Sequence, residues 1–99
     1  MPAVAMPDVT EQDWIVEQVG EVFDHLFAVI IMNSDFTTFA EVEGACVTLF
    51  GYTPDDAAAL AMKVHTTGEA VAAVIAEQEA RRAVRALRRW NVRSRVEPV

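Results

Sequence analysis

The 99-residue chain holds a single cysteine, Cys46. One thiol closes no internal disulfide, so the fold is not a stapled secreted module, and a reducing, cytoplasmic setting is expected. No Lys or Arg occurs before Lys63. The opening residues therefore lack the basic start of a secretory or transit peptide, and no such leader is expected. Long apolar runs are missing as well. The longest, Leu26 to Met32, falls far short of the about 20 residues that span a bilayer, so no membrane segment is expected. There is no Gly-rich phosphate loop, no nucleophile elbow, no clustered metal-ligand spacing, no internal repeat and no low-complexity tract. With two histidines and one cysteine in the chain, the expectation is no metal, no cofactor and no catalysis.

What is present is enough for one domain with a modest core: 53% of the residues are hydrophobic and 23% charged. The charge is unevenly placed. Residues 1–62 carry eleven acidic and no basic side chains, whereas residues 63–99 carry eight basic against four acidic. Such a split disfavours general nucleic-acid binding, which needs a net basic footprint, and suits oriented docking to a protein. Two solvated faces of opposite sign are the plainer alternative.

Residues 1–25 are expected to form an acidic tail or arm, and 26–99 the core domain. Within the arm, Trp14, Ile15, Val19, Val22 and Phe23 recur at roughly helical spacing from Thr10 to Asp24. Phe27 to Met32 is a β-branched run too short for an independent helix and reads as a strand covered on both faces. It ends at the polar corner Asn33-Ser34-Asp35-Phe36-Thr37-Thr38. Thr38 with Glu41 predicts a capping box, and Phe39, Val42, Cys46, Leu49 and Phe50 share one face of the helix that follows, with Gly51 as its terminator. Thr53, Pro54, Asp55 and Asp56 start a second helix. Ala57, Leu60, Ala61 and Val64 face inward on it, and Gly68 stops it. Ala70 to Ile75 predicts a strand, Gln78 to about Arg89 a helix with an outward arginine ridge, and Val92 to Val96 an edge strand. The order β-α-α-β-α-β predicts an α+β two-layer sandwich: a three-stranded antiparallel sheet with three helices on one face.

Chemically, Asn33 and Asp35 can aim two acceptors at one point, and an ammonium with three donors suits that place. His65 offers a third acceptor, and Phe39, Val42 and Val64 can wall an apolar hole beside it. Plainer readings stand next to these. Asx corners before helices are common, and a histidine at a helix end stabilises the dipole. Cys46 on an inward face is usually packing material. Glu77 and Arg81 at i,i+4 suit a self-paired helix face.

The ordered set of Asn33-Ser34-Asp35-Phe36-Thr37-Thr38-Phe39, Phe50-Gly51-Tyr52 and Met62-Lys63-Val64-His65-Thr66-Thr67-Gly68, between an apolar strand and an Ala/Val-rich strand, resembles the ClpS family. Those proteins are the bacterial Clp protease adaptors that recognise N-degrons. The resemblance implies a ligand: a protein whose first residue is Leu, Phe, Tyr or Trp with a free α-amino group. It implies that Asn33, Asp35 and His65 hold the α-ammonium, that Thr37 borders the pocket, and that Ile31, Phe39, Val42 and Val64 line the hole. It also implies delivery to a ClpA- or ClpC-type unfoldase through its N-domain. There are departures. Ser34 stands where the family usually has a second Asp, Phe39 where it has Met, and Ala61 where a larger apolar residue is usual; Gln78 and Ala83 replace charged residues used on the unfoldase. Phe39 is expected to fill the space that Ala61 vacates. The alternative is a stand-alone interaction domain on the same scaffold, with its arginine ridge or acidic arm as the contact surface.

Overall fold

A computed structural model describes residues 25–99, ordered as β1 (Leu26–Met32), α1 (Phe39–Phe50), α2 (Pro54–Thr67), β2 (Glu69–Ala76), α3 (Glu77–Arg89) and β3 (Arg93–Pro98). The expected element order is observed, with α3 starting one residue earlier and β3 shifted toward the C-terminus. The helix expected between Thr10 and Asp24 lies outside the described residues.

Each helix stops and starts for a reason visible in its termini. The Thr38 hydroxyl accepts from the Glu41 N–H at 3.1 Å while the Glu41 carboxylate accepts from the Thr38 N–H at 2.8 Å, so the predicted capping box of α1 is formed. At α2 the Thr53 hydroxyl accepts from the Asp56 N–H at 3.1 Å, with Pro54 in the first turn. Gly51 and Gly68, at φ 72° and 96°, close α1 and α2 in the left-handed region. The α3 helix ends differently. Asn91 takes the left-handed position at φ 65°, its N–H donates to Arg88 O at 3.0 Å, and the Val92 N–H donates to Leu87 O at 2.9 Å. This is a Schellman turn, and its customary apolar clasp is present in Leu87 and Val92, both buried.

The sheet order is β2-β1-β3, antiparallel throughout. Between Val29 and Ile30 the β1–β2 register shifts, leaving Ala72 without an opposite residue. The bulge puts both Ala72 and Ala73 in the core, and the Tyr52 hydroxyl donates to Ala72 O at 2.7 Å. Val29, Ile31, Ala70 and Ala72 face α1, α2 and α3 across one cluster that also takes in Val42, Cys46, Leu60, Val64 and Leu87. On the opposite face of β1, Ile30 is also buried. Its cross-strand partner Arg95 reaches over β1 to make two bonds with Glu69 on β2, at 2.8 and 3.0 Å, and a third with Glu97. The strap keeps the middle strand covered on both sides, as the sequence predicts. Its ion pairs are part-exposed and contribute little beyond that cover.

Phe39 departs from the expected inward face of α1. It sits at the first helical position, is 40% exposed, and turns to α2 instead of the core. Ala45 takes an inward position the pattern did not single out. Gly44 has a packing reason: a Cβ there would lie 2.6 Å from Trp90 Cζ3, so the indole at the end of α3 rests directly on the α1 backbone.

Candidate functional site

The corner begins where β1 loses its partner β2. Asn33 donates its N–H to Gly68 O at 2.8 Å, a bond that ties the first residue after β1 to the residue that ends α2. Six residues on, the Phe39 ring meets the His65 ring edge-to-face, with centroids 5.2 Å apart. These two contacts bring Asn33 and Phe39 against the last turn of α2 from two sides. Asn33, Asp35 and His65 are all exposed, as groups that meet a ligand from water must be. Ile31, Val42 and Val64, the residues expected to wall a hole, are buried in the core cluster, and Ala61 lies with them.

The corner is held internally as well. The Ser34 hydroxyl accepts from the Phe36 N–H at 3.2 Å, and the Thr37 N–H donates to Ser34 O at 3.2 Å. Both are the local side-chain and backbone bonds that Asx and Ser turns use.

What the sequence reading missed is Asn91. Its side-chain amide donates to Phe36 O at 2.6 Å and to the Glu41 carboxylate at 3.3 Å, and its backbone carbonyl accepts from the Thr37 hydroxyl at 2.7 Å. One residue of the α3–β3 turn therefore latches the corner and the first turn of α1. The available signal was an Asn just past an arginine-rich helix, a common left-handed terminator; its reach across 55 positions to Phe36 was not visible locally. Glu41 feels the same network. The Thr38 N–H, then the Asn91 amide, hold its carboxyl below the usual range.

Beyond Asn91 lies a cleft of about 330 Å³ lined by Met32, Arg88, Asn91, Val92, Arg93 and Ser94. The Ser94 hydroxyl oxygen is buried and has no hydrogen-bond partner among the described residues. Arg88 and Arg93 are exposed and form no ion pair among the described residues, unlike Arg81 and Arg95.

Cys46 is fully buried and burial pushes its pKa up to about 12, so it is a poor nucleophile near neutral pH. His65 is occupied with Phe39 at the surface. Among the described residues no group of three His, Cys, Asp or Glu could hold a metal ion, and no helix is long and apolar enough to cross a membrane.

A three-stranded antiparallel sheet carrying three helices in this order, with an exposed polar corner docked on a helix end, defines a small α+β sandwich domain. The chain belongs to the ClpS family: the model for the ATP-dependent Clp protease adaptor protein ClpS matches residues 23–98. Its fold is similar to that of Agrobacterium tumefaciens ClpS2 bound to L-phenylalaninamide, with a TM-score of 0.73, 21% identity, and 77% of this chain and 99% of that one covered. No curated protein matches in sequence. The family consists of adaptors rather than known enzymes.

Proposed function

We propose that this chain binds N-degrons at the corner and delivers them to a Clp-type AAA+ unfoldase. The observation that carries the reading is the docking of the corner on α2: the Asn33–Gly68 bond and the Phe39–His65 contact draw together the two segments that, in this family, hold a free amino terminus. Asn33, Asp35 and His65 receive the α-ammonium through charge-assisted hydrogen bonds. Thr37 borders the site, while Ile31, Phe39, Val42 and Val64 receive the first side chain. Since Ile31, Val42 and Val64 are covered before binding, the exposed Phe39 ring is the part that moves to admit that side chain. The L-phenylalaninamide bound by the Agrobacterium relative, a free α-amine beside an aromatic side chain, supports a bulky apolar first residue.

The test is a fluorescence-anisotropy titration of peptides differing only at the first residue (Leu, Phe, Trp, Ile, Met), each with a free and an acetylated amino terminus. Tight binding of free Leu or aromatic peptides, lost on acetylation and in Asp35→Ala, is expected. Binding that ignores acetylation refutes the reading. Delivery is checked by accelerated degradation of a Leu-initiated substrate by a ClpA- or ClpC-type unfoldase with its peptidase.

A further inference from the structure

We propose that the cleft between β3 and the end of α3 is a second recognition subsite that takes carboxylate side chains of the bound substrate, at its second to fourth residues. The inference rests on the amino-terminus site proposed above and extends it to the substrate's next residues.

Three observations support it. First, the cleft is contiguous with the corner: Met32 in its wall directly precedes Asn33, and Asn91, another wall residue, is bonded to Phe36 and Thr37. A peptide anchored by its amino group at Asn33 and Asp35 advances at most about 3.3–3.6 Å per residue, so its next three side chains fall within reach of this neighbouring cleft. Second, the lining is cationic. Arg88 and Arg93 line it with no ion-pair partner among the described residues, and Arg guanidinium is the side chain best shaped for two-point binding of a carboxylate. Third, Ser94 lines the same cleft, and its buried hydroxyl has no hydrogen-bond partner among the described residues.

The opposing charges are weaker. The C-terminal end of α3 presents about half a negative charge, and its last carbonyls are already engaged by the Schellman turn. The Glu41 carboxylate lies beyond Asn91, bonded to Thr38 and the Asn91 amide. Two full positive charges outweigh these. The site as a whole then has an anion at Asp35 for the ammonium and cations at Arg88 and Arg93 for the acid that follows it.

The test uses the full chain and three labelled peptides, Leu-Asp-Glu-Asp, Leu-Ala-Ala-Ala and Leu-Lys-Lys-Lys with a common tail, each free and acetylated. The acidic peptide is expected to bind at least fivefold more tightly than the alanine peptide and the basic one more weakly. Raised salt is expected to shrink the difference, and the double variant Arg88→Ala/Arg93→Ala to erase it with the alanine peptide's affinity unchanged. Equal affinities, or an acidic preference that survives in the double variant, overturn the subsite while acetylation-sensitive binding of the alanine peptide leaves the amino-terminus site standing. Acidic peptides that bind equally well when acetylated also overturn it, since the cleft would then act apart from the degron. Failure of every free peptide to bind overturns both. Far-UV circular dichroism of the variant, expected to match the parent, separates lost recognition from lost folding.

Discussion

Asn91 is the position where backbone and side chain can be tested separately. Replacing it with Ala removes the 2.6 Å bond to Phe36 O and the longer 3.3 Å contact to Glu41, and leaves an ordinary L-residue at φ 65°. The first bond is exposed and neutral, so its net contribution is about 1 kcal/mol; the second, long and shared with Thr38, adds a few tenths. Holding Ala in the left-handed region costs about 1–2 kcal/mol more. Asn91→Ala is therefore expected to destabilise by about 2–3 kcal/mol. Asn91→Gly loses the same side-chain bonds but adopts the backbone freely, and its cost is about 1–2 kcal/mol, part of it from the more flexible unfolded chain. Urea denaturation of both variants measures the difference, and for a domain of this size 1 kcal/mol corresponds to roughly 4–8 °C in Tm. If the latch positions the corner, both variants also weaken binding of a Leu-initiated peptide, and by similar factors, because both lose the side-chain bond to Phe36 and keep the Thr37 bond to the backbone carbonyl. Equal stability of the Ala and Gly variants would show that the left-handed backbone is not a constraint. Parent-like stability and binding in both would refute the latch.

Three further outcomes follow from the geometry. Gly44→Ala gains about 1 kcal/mol of helix propensity but forces a Cβ to 2.6 Å from the Trp90 ring; overpacking of about 1–3 kcal/mol wins, so the variant melts earlier and its near-UV aromatic circular dichroism changes. Cys46, buried with its pKa raised to about 12, is expected to resist a thiol-reactive dye at pH 8 until urea unfolds the protein; rapid labelling of the native state would contradict the packing. Glu41 has its carboxyl pKa depressed below the ordinary 4.5 by the Thr38 and Asn91 donors, so its contribution is complete above that pH and is lost as pH falls through the lower folded value. Glu41→Gln is expected to flatten this part of the acid limb of a stability–pH curve, and an unchanged limb would count against the network.

Much of this domain can be read along the chain, because its signals are short-range. The capping box at Thr38 and Glu41, the Thr53-Pro54 start of α2 and the glycine stops at Gly51 and Gly68 each involve residues within one helical turn, and all appear where the spacing predicts them. The β1 run, covered on both faces, and the inward faces of α1 and α2 follow from periodicity, except that Ala45 is buried without being singled out by the pattern and Phe39 is exposed although it fits it. Phe39 matches the apolar period of α1 yet lies outside the core, because the first residue of a helix is aimed by the neighbour it meets, here His65. Ile30 is covered by the aliphatic reach of Arg95 toward Glu69, a cross-strand event that no pattern in β1 contains.

The sequence by itself determined the element order, the helix ends, and the candidate recognition corner with its ordered set of ClpS-like residues. Tertiary structure alone decided which distant residues surround that corner: Gly68 bonded to Asn33, Asn91 latched to Phe36 and Thr37, Trp90 laid on Gly44, and the arginine cleft beside them. The physical reason is separation along the chain. Caps and amphipathic faces are settled by free energies acting over three or four residues, whereas the corner is completed by a turn more than fifty residues downstream, brought there only when β3 pairs with β1.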